Sequence, residues 1–128
     1  MALSGASLIP MTATGIGGVF FRSDDPDGRA EWYRTHLGID AGPAGVWQQQ
    51  AGATVFAPFA HDSDYFPADQ AIMLNLRVDA IEELVAELTE AGIAVERREE
   101  WTDTEYGTFA RIHDPEGLPI ELWEPPAD

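Results

Sequence analysis

The stretch IMLNLRVDAIEELVAELTEAGI, residues 72–93, decides the fold because it holds a strand and a helix in immediate succession. Its first part, residues 72–78, is rich in branched apolar side chains, which is typical of a strand. The second part starts at Asp79 and ends at Gly92, as a capped helix does. Four apolar residues recur at helical spacing between them: Ile81, Leu84, Val85 and Leu88. The sequence therefore predicts a strand–helix unit here.

An earlier stretch, residues 17–38, repeats this pattern. A strand over residues 17–23 leads into a helix that is capped by Asp25 or Asp27. The two units share further residues at spacings of 54 and 55 positions: Gly38-Ile39 with Gly92-Ile93, and Arg22 and Asp24 with Arg77 and Asp79. The chain therefore contains an internal repeat.

Short strands follow each helix: VWQQQ and TVFAPF after the first, and AVERREEW, GTFARIHD and PIELWEP after the second. A unit this short cannot bury both faces of its sheet alone, so two units must pair. The predicted fold is α+β, with two βαβββ repeats forming a cupped mixed sheet and the helices outside. We expect a flexible N-terminal extension (1–16) and one domain (17–128), with modules at about 17–66 and 70–125.

Composition excludes several classes of function. Seven arginines, no lysines and 23 acidic residues give a net charge of −16, which repels phosphate backbones and anionic lipid. Nucleic acid and membrane partners are therefore not expected. The charge favours a cationic ligand, or it is a solubility feature or a salt adaptation. The absence of cysteine excludes disulfides and thiolate chemistry, and with no signal peptide or membrane span predicted we expect a cytoplasmic protein.

Three stretches, in this order, resemble the vicinal oxygen chelate superfamily: EWYRTHLGI, LRVDAIEELVAELTEAGI and DPEGLPIELWEP. This superfamily includes glyoxalase I, bleomycin-resistance proteins, fosfomycin-resistance enzymes and extradiol dioxygenases. With the connecting strands, the resemblance covers about residues 17 to 125. It implies the cupped fold described above, and it implies a homodimer, whose cups lie within one chain or are shared between two.

Metal-using members of the superfamily place four ligands in the cup, one on the first and one on the last strand of each unit. Carried over by register, these positions are Gly18, Thr54 (or Phe56), Met73 and Glu121. Only Glu121 has a ligand atom suited to a divalent cation. We therefore expect no metal cofactor, and a divalent metal is the alternative.

Side chains alternate across a strand, so residues two positions away from Gly18, Met73 or Glu121 on the same strand face the cup with them. Ile120 and Leu122 have the opposite parity and are expected to pack against the helices. The predicted ligand-binding residues are Phe20, Arg22, Trp47, Phe56, Met73, Asn75, Phe109, Arg111 and Trp123. Aromatic walls with a few polar groups are typical of small-molecule pockets.

Glu121 and Arg77 are the candidate catalytic residues. Arg77 and its repeat partner Arg22 could clamp a ligand carboxylate or enolate, or pair with a nearby carboxylate of the protein. For Glu121 we expect an ion pair or hydrogen bond with Arg22, Arg77 or Asn75. A general base and a sole metal ligand are its alternative roles.

Aromatic residues in two loops could also contribute. Tyr65 and Phe66, in the irregular segment 60–70, could cap the cup as a lid, and Trp101 and Tyr106 could line its mouth or cover the sheet edge.

Two functions remain open. One is a metal-free protein, resembling the bleomycin-resistance branch, that binds an aromatic or cationic small molecule. The other is an enzyme of the superfamily: a metal-dependent lyase, isomerase or dioxygenase, or a metal-free enzyme with Glu121 as base.

Overall fold

The computed structural model describes residues 12–127, so residues 1–11 of the predicted N-terminal extension and Asp128 lie outside the described part. The elements follow the chain in this order: helix α1 (Pro26–Leu37), strand β1 (Leu74–Arg77), helix α2 (Ile81–Glu90), a 3-10 turn (Glu99–Trp101), strand β2 (Thr108–His113) and strand β3 (Pro119–Glu124). This mixture of helices and one small sheet confirms the predicted α+β class.

The sheet has the order β1-β3-β2, with β3 in the centre. β1 runs parallel to β3, and β2 runs antiparallel to it. A tight turn joins β2 to β3, in which the Gly117 amide donates to the Asp114 carbonyl at 2.9 Å. Beyond β2, Glu96 makes a two-bond bridge with Arg111, at 2.8 and 3.0 Å. The elements of the second unit thus follow in the predicted order, and the strand predicted directly after α2 is reduced to this bridge.

The hydrophobic core lies between the helices and one face of the sheet. β2 supplies Ala110 and Ile112, and β3 supplies Ile120 and Leu122, all fully buried. Against them pack Ile81 and Leu88 of α2 and Tyr33 of α1. The alternation of side chains along β3 predicted this face, and it leaves the opposite face of the sheet free to carry the polar and aromatic residues.

Both helices are short, and their starts differ. At α1, the Asp25 side chain accepts from the Gly28 amide at 3.1 Å, as one of the predicted caps requires. At α2, the predicted start at Asp79 is wrong. The helix begins at Ile81, whose amide donates to the Glu124 carboxylate of β3 at 2.8 Å, so a distant strand takes the place of a local cap.

No helix within residues 12–127 combines the length and the apolar character needed to cross a bilayer.

The strands predicted in the first unit are not present: within residues 12–25 and 38–73 the structure has no strand. Phe20 is 95% exposed and Phe56 is 85% exposed. A strand needs a neighbour that takes its backbone hydrogen bonds, and none of the strand pairings within residues 12–127 includes these stretches. The two-repeat sheet is therefore not confirmed, and the first unit contributes helix α1 to the fold.

A buried ion pair joins α1 to the turn between β2 and β3. The Asp114 carboxylate accepts from Arg29 Nε at 2.7 Å and from the Tyr33 hydroxyl at 2.7 Å. Its other oxygen accepts from the amides of Glu116 and Leu118, at 2.8 and 3.1 Å. Arg29 and Asp114 are both buried. This carboxylate therefore organises its own turn and docks the first unit on the second.

The same contacts set the protonation of Asp114. Burial on its own would raise the pKa of this carboxyl group, but the hydrogen bonds from Tyr33, Arg29 and the turn amides outweigh it and hold the pKa below its ordinary value. A lowered folded-state pKa stabilises the protein above the unfolded-state pKa of about 4 and loses that effect as pH falls through the folded value.

We predict that Asp114→Asn lowers the free energy of unfolding by about 3 kcal/mol at neutral pH, because the buried Arg29 guanidinium loses its closest counter-ion and keeps only the longer contact with Glu116. The difference from wild type should shrink as pH falls below about 4, where the wild-type carboxyl group takes up its proton. Urea unfolding at several pH values measures this. Glu87→Gln, on the exposed face of α2, is the control and should match wild type; equal stability of all three proteins would contradict the prediction.

Candidate functional site

The sheet face opposite the core carries Phe109, Arg111, Glu121 and Trp123, and we call it the site face. Phe109 lies opposite Trp123 in the antiparallel register, and their rings stack with centroids 6.4 Å apart and planes 10° apart. Arg111 lies opposite Glu121 in the same register. On the other side of β3, Asn75 of β1 is the partner of Glu121. Glu121 therefore stands at the centre of three strands.

Glu121 is held by two donors and is only 8% exposed. Asn75 Nδ2 donates to one carboxylate oxygen at 2.7 Å, and the Tyr65 hydroxyl donates to the other. Asn75 is thus the member of the predicted trio that the fold brings to this carboxylate. Both oxygens of Glu121 already have a partner from within the chain.

The two repeat-related arginines lie away from Glu121. Arg77 donates from Nη2 to the Gln50 carbonyl at 3.0 Å and so holds the loop of the first unit. The side chain of Arg22 is exposed, and its carbonyl accepts from Arg29 at 2.8 Å. The structure therefore does not assemble the pair of Glu121 and Arg77, and it does not form a clamp from Arg22 and Arg77.

Tyr65 covers the centre of the site face, from the irregular segment that we expected to act as a lid. Its ring lies 5.7 Å from that of Phe59 and 6.2 Å from that of Trp101. Burial, together with the hydrogen bond to Glu121, raises the pKa of Tyr65 to about 12. The hydroxyl is therefore a firm proton donor to Glu121 at physiological pH.

Arg111 lies beneath this tyrosine. It is 4% exposed, and its Nη2 donates to the Tyr65 carbonyl at 3.0 Å. The guanidinium carbon is 4.9 Å from the centroid of the Tyr65 ring and 5.7 Å from that of Trp101. Within the described chain, its Nε has no hydrogen-bond partner. Arg111 is thus enclosed by two aromatic rings.

A cavity of about 530 Å³ opens beside these rings. Its lining consists of Tyr65, Glu100, Trp101, Thr104, Glu105, Tyr106 and Phe109. One wall is formed by the turn that Thr104 and Gly107 close. The Tyr106 carbonyl in this turn accepts a hydrogen bond from the Trp123 indole at 2.7 Å. Gly107 has φ 116°, and a Cβ there would lie 2.2 Å from the Glu124 carbonyl oxygen, so this wall requires glycine.

The predicted ligand-binding residues divide by unit. Phe109, Arg111, Asn75 and Trp123 meet on the site face or beside it. Three predicted aromatics of the first unit are exposed and line neither the cavity nor the site face: Phe20, Trp47 and Phe56. Met73 is half-buried just before β1. The prediction overlooked Glu100, Thr104 and Glu105, because polar loop residues have no periodicity that would place them at a pocket; the nearby aromatics Trp101 and Tyr106 were the available signal.

The donor set does not suit a divalent metal. Within residues 12–127, no three Asp, Glu or His side chains converge as a metal site would require. The site face offers the carboxylate of Glu121, with both oxygens already accepting hydrogen bonds. What the arrangement can do is stack a flat ligand against aromatic walls and offer it a buried guanidinium.

A family model described as a glyoxalase-like domain matches residues 18–123. Among solved structures, the antibiotic-binding protein TnmS3 from Streptomyces sp. CB03234 matches with 27% sequence identity and a TM-score of 0.50. That match covers 80% of this chain and 88% of the other. No curated protein matches the sequence.

We predict that Tyr65→Phe lowers the free energy of unfolding by about 2 kcal/mol, because a buried carboxylate loses one of its two donors. The difference from wild type should decrease as pH rises above about 10, where the unfolded tyrosine ionises, and vanish beyond about 12. Tyr106→Phe, at an exposed tyrosine of the same cavity, is the matched control and should cost far less. Urea unfolding decides, and equal losses in the two variants would contradict the assignment.

Proposed function

We propose a function on the premise that this chain belongs to the glyoxalase-like domain family, which bears out its resemblance to the vicinal oxygen chelate superfamily. The proposed function is metal-free binding of an aromatic small molecule in the cavity beside the site face. The description of the neighbour TnmS3 as an antibiotic-binding protein supports a binding role. A cytoplasmic location remains a prediction from the sequence.

The observation that carries this proposal is the aromatic lining of the cavity. Trp101, Phe109 and Tyr65 come from three separate segments and border one space of about 530 Å³, within the size range of small-ligand sites. Each stacked aromatic pair contributes about 0.5–1.5 kcal/mol beyond the area it buries. The lining therefore supports the aromatic part of the expected ligand.

Glu121 favours binding over catalysis. Asn75 and Tyr65 each donate to one of its oxygens, and the carboxylate is buried beneath the Tyr65 segment, which supports a structural role over that of a general base. Arg77, its proposed catalytic partner, is bound to the Gln50 carbonyl. We therefore assign Glu121 the role of holding the Tyr65 segment over the site face.

We propose that the site works without a metal. The positions that carry ligands in metal-using relatives are here Gly18, Thr54 (or Phe56) and Met73, which offer no suitable oxygen or nitrogen beyond one hydroxyl. Glu121 alone does not hold a divalent ion. The binding site then depends on stacking and hydrogen bonds.

We also propose a homodimer, because the first unit exposes apolar residues that the described part of one chain leaves uncovered. Its large exposed apolar residues are Ile16, Val19, Phe20, Phe21, Val46, Trp47, Val55, Phe56 and Phe59. Apolar surface on this scale marks an interface more often than free surface. The same segments were predicted to be strands, and pairing with a second copy would supply the neighbours they lack.

We predict that 2-naphthalenemethanol, a neutral aromatic probe, quenches the tryptophan fluorescence of the wild-type protein saturably. Phe109→Ala should weaken its binding about tenfold, because it removes one wall of the cavity and half of a stacked pair. Titration followed by fluorescence measures the affinity.

Ile72→Ala is the control, since Ile72 is an exposed apolar residue outside the cavity, and it should bind the probe like wild type. Treatment with EDTA followed by dialysis should leave the affinity unchanged. Loss of binding after chelation would contradict the metal-free site, and equal binding by Phe109→Ala and wild type would contradict its location.

We predict that the protein migrates as a dimer in size-exclusion chromatography with light scattering at micromolar concentration. Phe56→Glu should shift it to monomer, because a charge replaces an apolar side chain at the proposed interface. Glu87→Gln should remain a dimer. A monomeric wild-type protein would contradict the proposal.

A further inference from the structure

Arg111 is a buried cation that makes no close ion pair with any residue that the structure describes. It is 4% exposed, and no carboxylate of the described residues lies within ion-pair distance of its guanidinium. Its one described hydrogen bond goes to an uncharged acceptor, the Tyr65 carbonyl. Its Nε, aligned for a hydrogen bond in the plane of the guanidinium, has none within residues 12–127. A charge buried in this way is costly unless something pairs with it.

The other buried or half-buried arginines of the chain are paired. Arg29 binds Asp114, and Arg97 binds Glu82 with both terminal nitrogens. Acidic side chains are abundant, with 23 in the sequence. The nearest candidate by register is Glu121, directly opposite Arg111, yet its oxygens go to Asn75 and Tyr65. Arg111 therefore differs from these two arginines, and a ligand could supply the anionic partner that the described residues do not.

The cavity gives such a partner access. The rings of Tyr65 and Trp101 enclose the Arg111 guanidinium and also line the cavity. Arg111 itself does not line the cavity, so an anionic group on a ligand stacked there would reach the guanidinium past the edges of these two rings. Guanidinium binds carboxylate-like oxygens through two parallel N–H donors, one of which is the unused Nε.

We propose that Arg111 binds an anionic oxygen of the ligand, so that the site selects aromatic compounds with a carboxylate, phenolate or enolate group. This rests on the proposed binding function and names its substrate class. It also reverses the expectation of a cationic ligand that the net charge of −16 suggested. The chemistry next to the ligand decides the preference, and the overall charge does not.

The acidic residues of the cavity mouth do not prevent this. Glu100 and Glu105 are exposed, so water and salt screen their charges over a Debye length of about 8 Å at physiological ionic strength. Arg111 is enclosed, and its attraction is screened much less. The two carboxylates would slow the entry of an anion more than they would weaken its binding.

The experiment is a charge series on one ring system. Tryptophan fluorescence or calorimetry gives the affinities of 2-naphthoate, 2-naphthalenemethanol and 2-naphthylmethylammonium at neutral pH. We expect naphthoate to bind at least about tenfold more tightly than the alcohol, and the ammonium compound to bind most weakly. Equal binding of naphthoate and alcohol, or tighter binding of the ammonium compound, would overturn the proposal. Failure of all three to bind would instead overturn the proposed function.

Arg111→Met should abolish the preference for naphthoate over the alcohol. Arg34→Gln removes the same charge from an exposed helix position and should keep the preference, which separates a contact from a change in overall charge. Arg111→Lys, which keeps the charge but has no Nε fork, should retain part of it. If Arg111→Met does not fold, the lysine variant and the wild-type series decide. An undiminished preference in the Arg111 variants would contradict the assigned contact.

Discussion

The fold depends on the buried contact between Arg29 and Asp114. Asp114 accepts hydrogen bonds from α1 and from the amides of its own turn, so one carboxylate fixes both the β2–β3 connection and the seat of the first unit. Tyr33 is the most buried apolar side chain of helix α1, and Trp32 and Leu37 pack partly against the core beside it. The cost of burying two charges is offset because nearly every polar atom involved has a partner.

The strands that this turn joins divide the sheet into two functions. One parity of β2 and β3 supplies the core against α2, and the other supplies Arg111, Glu121, Phe109 and Trp123. The two charged side chains on the site face, Glu121 and Arg111, differ in the partners that the chain provides for them. Both oxygens of Glu121 accept hydrogen bonds from within the chain, whereas Arg111 makes no close ion pair among residues 12–127. The first completes the structure, and the second leaves a place for a ligand.

The features of the fold that depend on neighbouring residues could be predicted from the sequence, whereas those that depend on distant contacts could not. The alternation that buries Ile120 and Leu122 and turns Glu121 to the other face is a local property of a strand, so reading the residues sufficed. The cap at Asp25 is equally local. The contacts of Glu121 with Tyr65, 56 residues away, and of Arg29 with Asp114, 85 residues away, depend on packing that no pattern encodes. The first-unit strands were mispredicted for the same reason, because an apolar stretch with strand propensity becomes a strand only beside a neighbour.

The central proposal is that a ligand binds between Trp101 and Phe109 and reaches Arg111 with an anionic group. The four tryptophans of the chain provide a direct test, because Trp101 and Trp123 belong to the cavity and its wall, whereas Trp32 lies on α1 and Trp47 in the exposed first unit. Their indole N–H signals can be followed by two-dimensional NMR during titration with 2-naphthoate. The account predicts that the signals of Trp101 and Trp123 move with a common saturation curve while that of Trp32 stays in place. Movement confined to Trp47, with Trp101 and Trp123 unchanged, would place the ligand elsewhere and contradict the account.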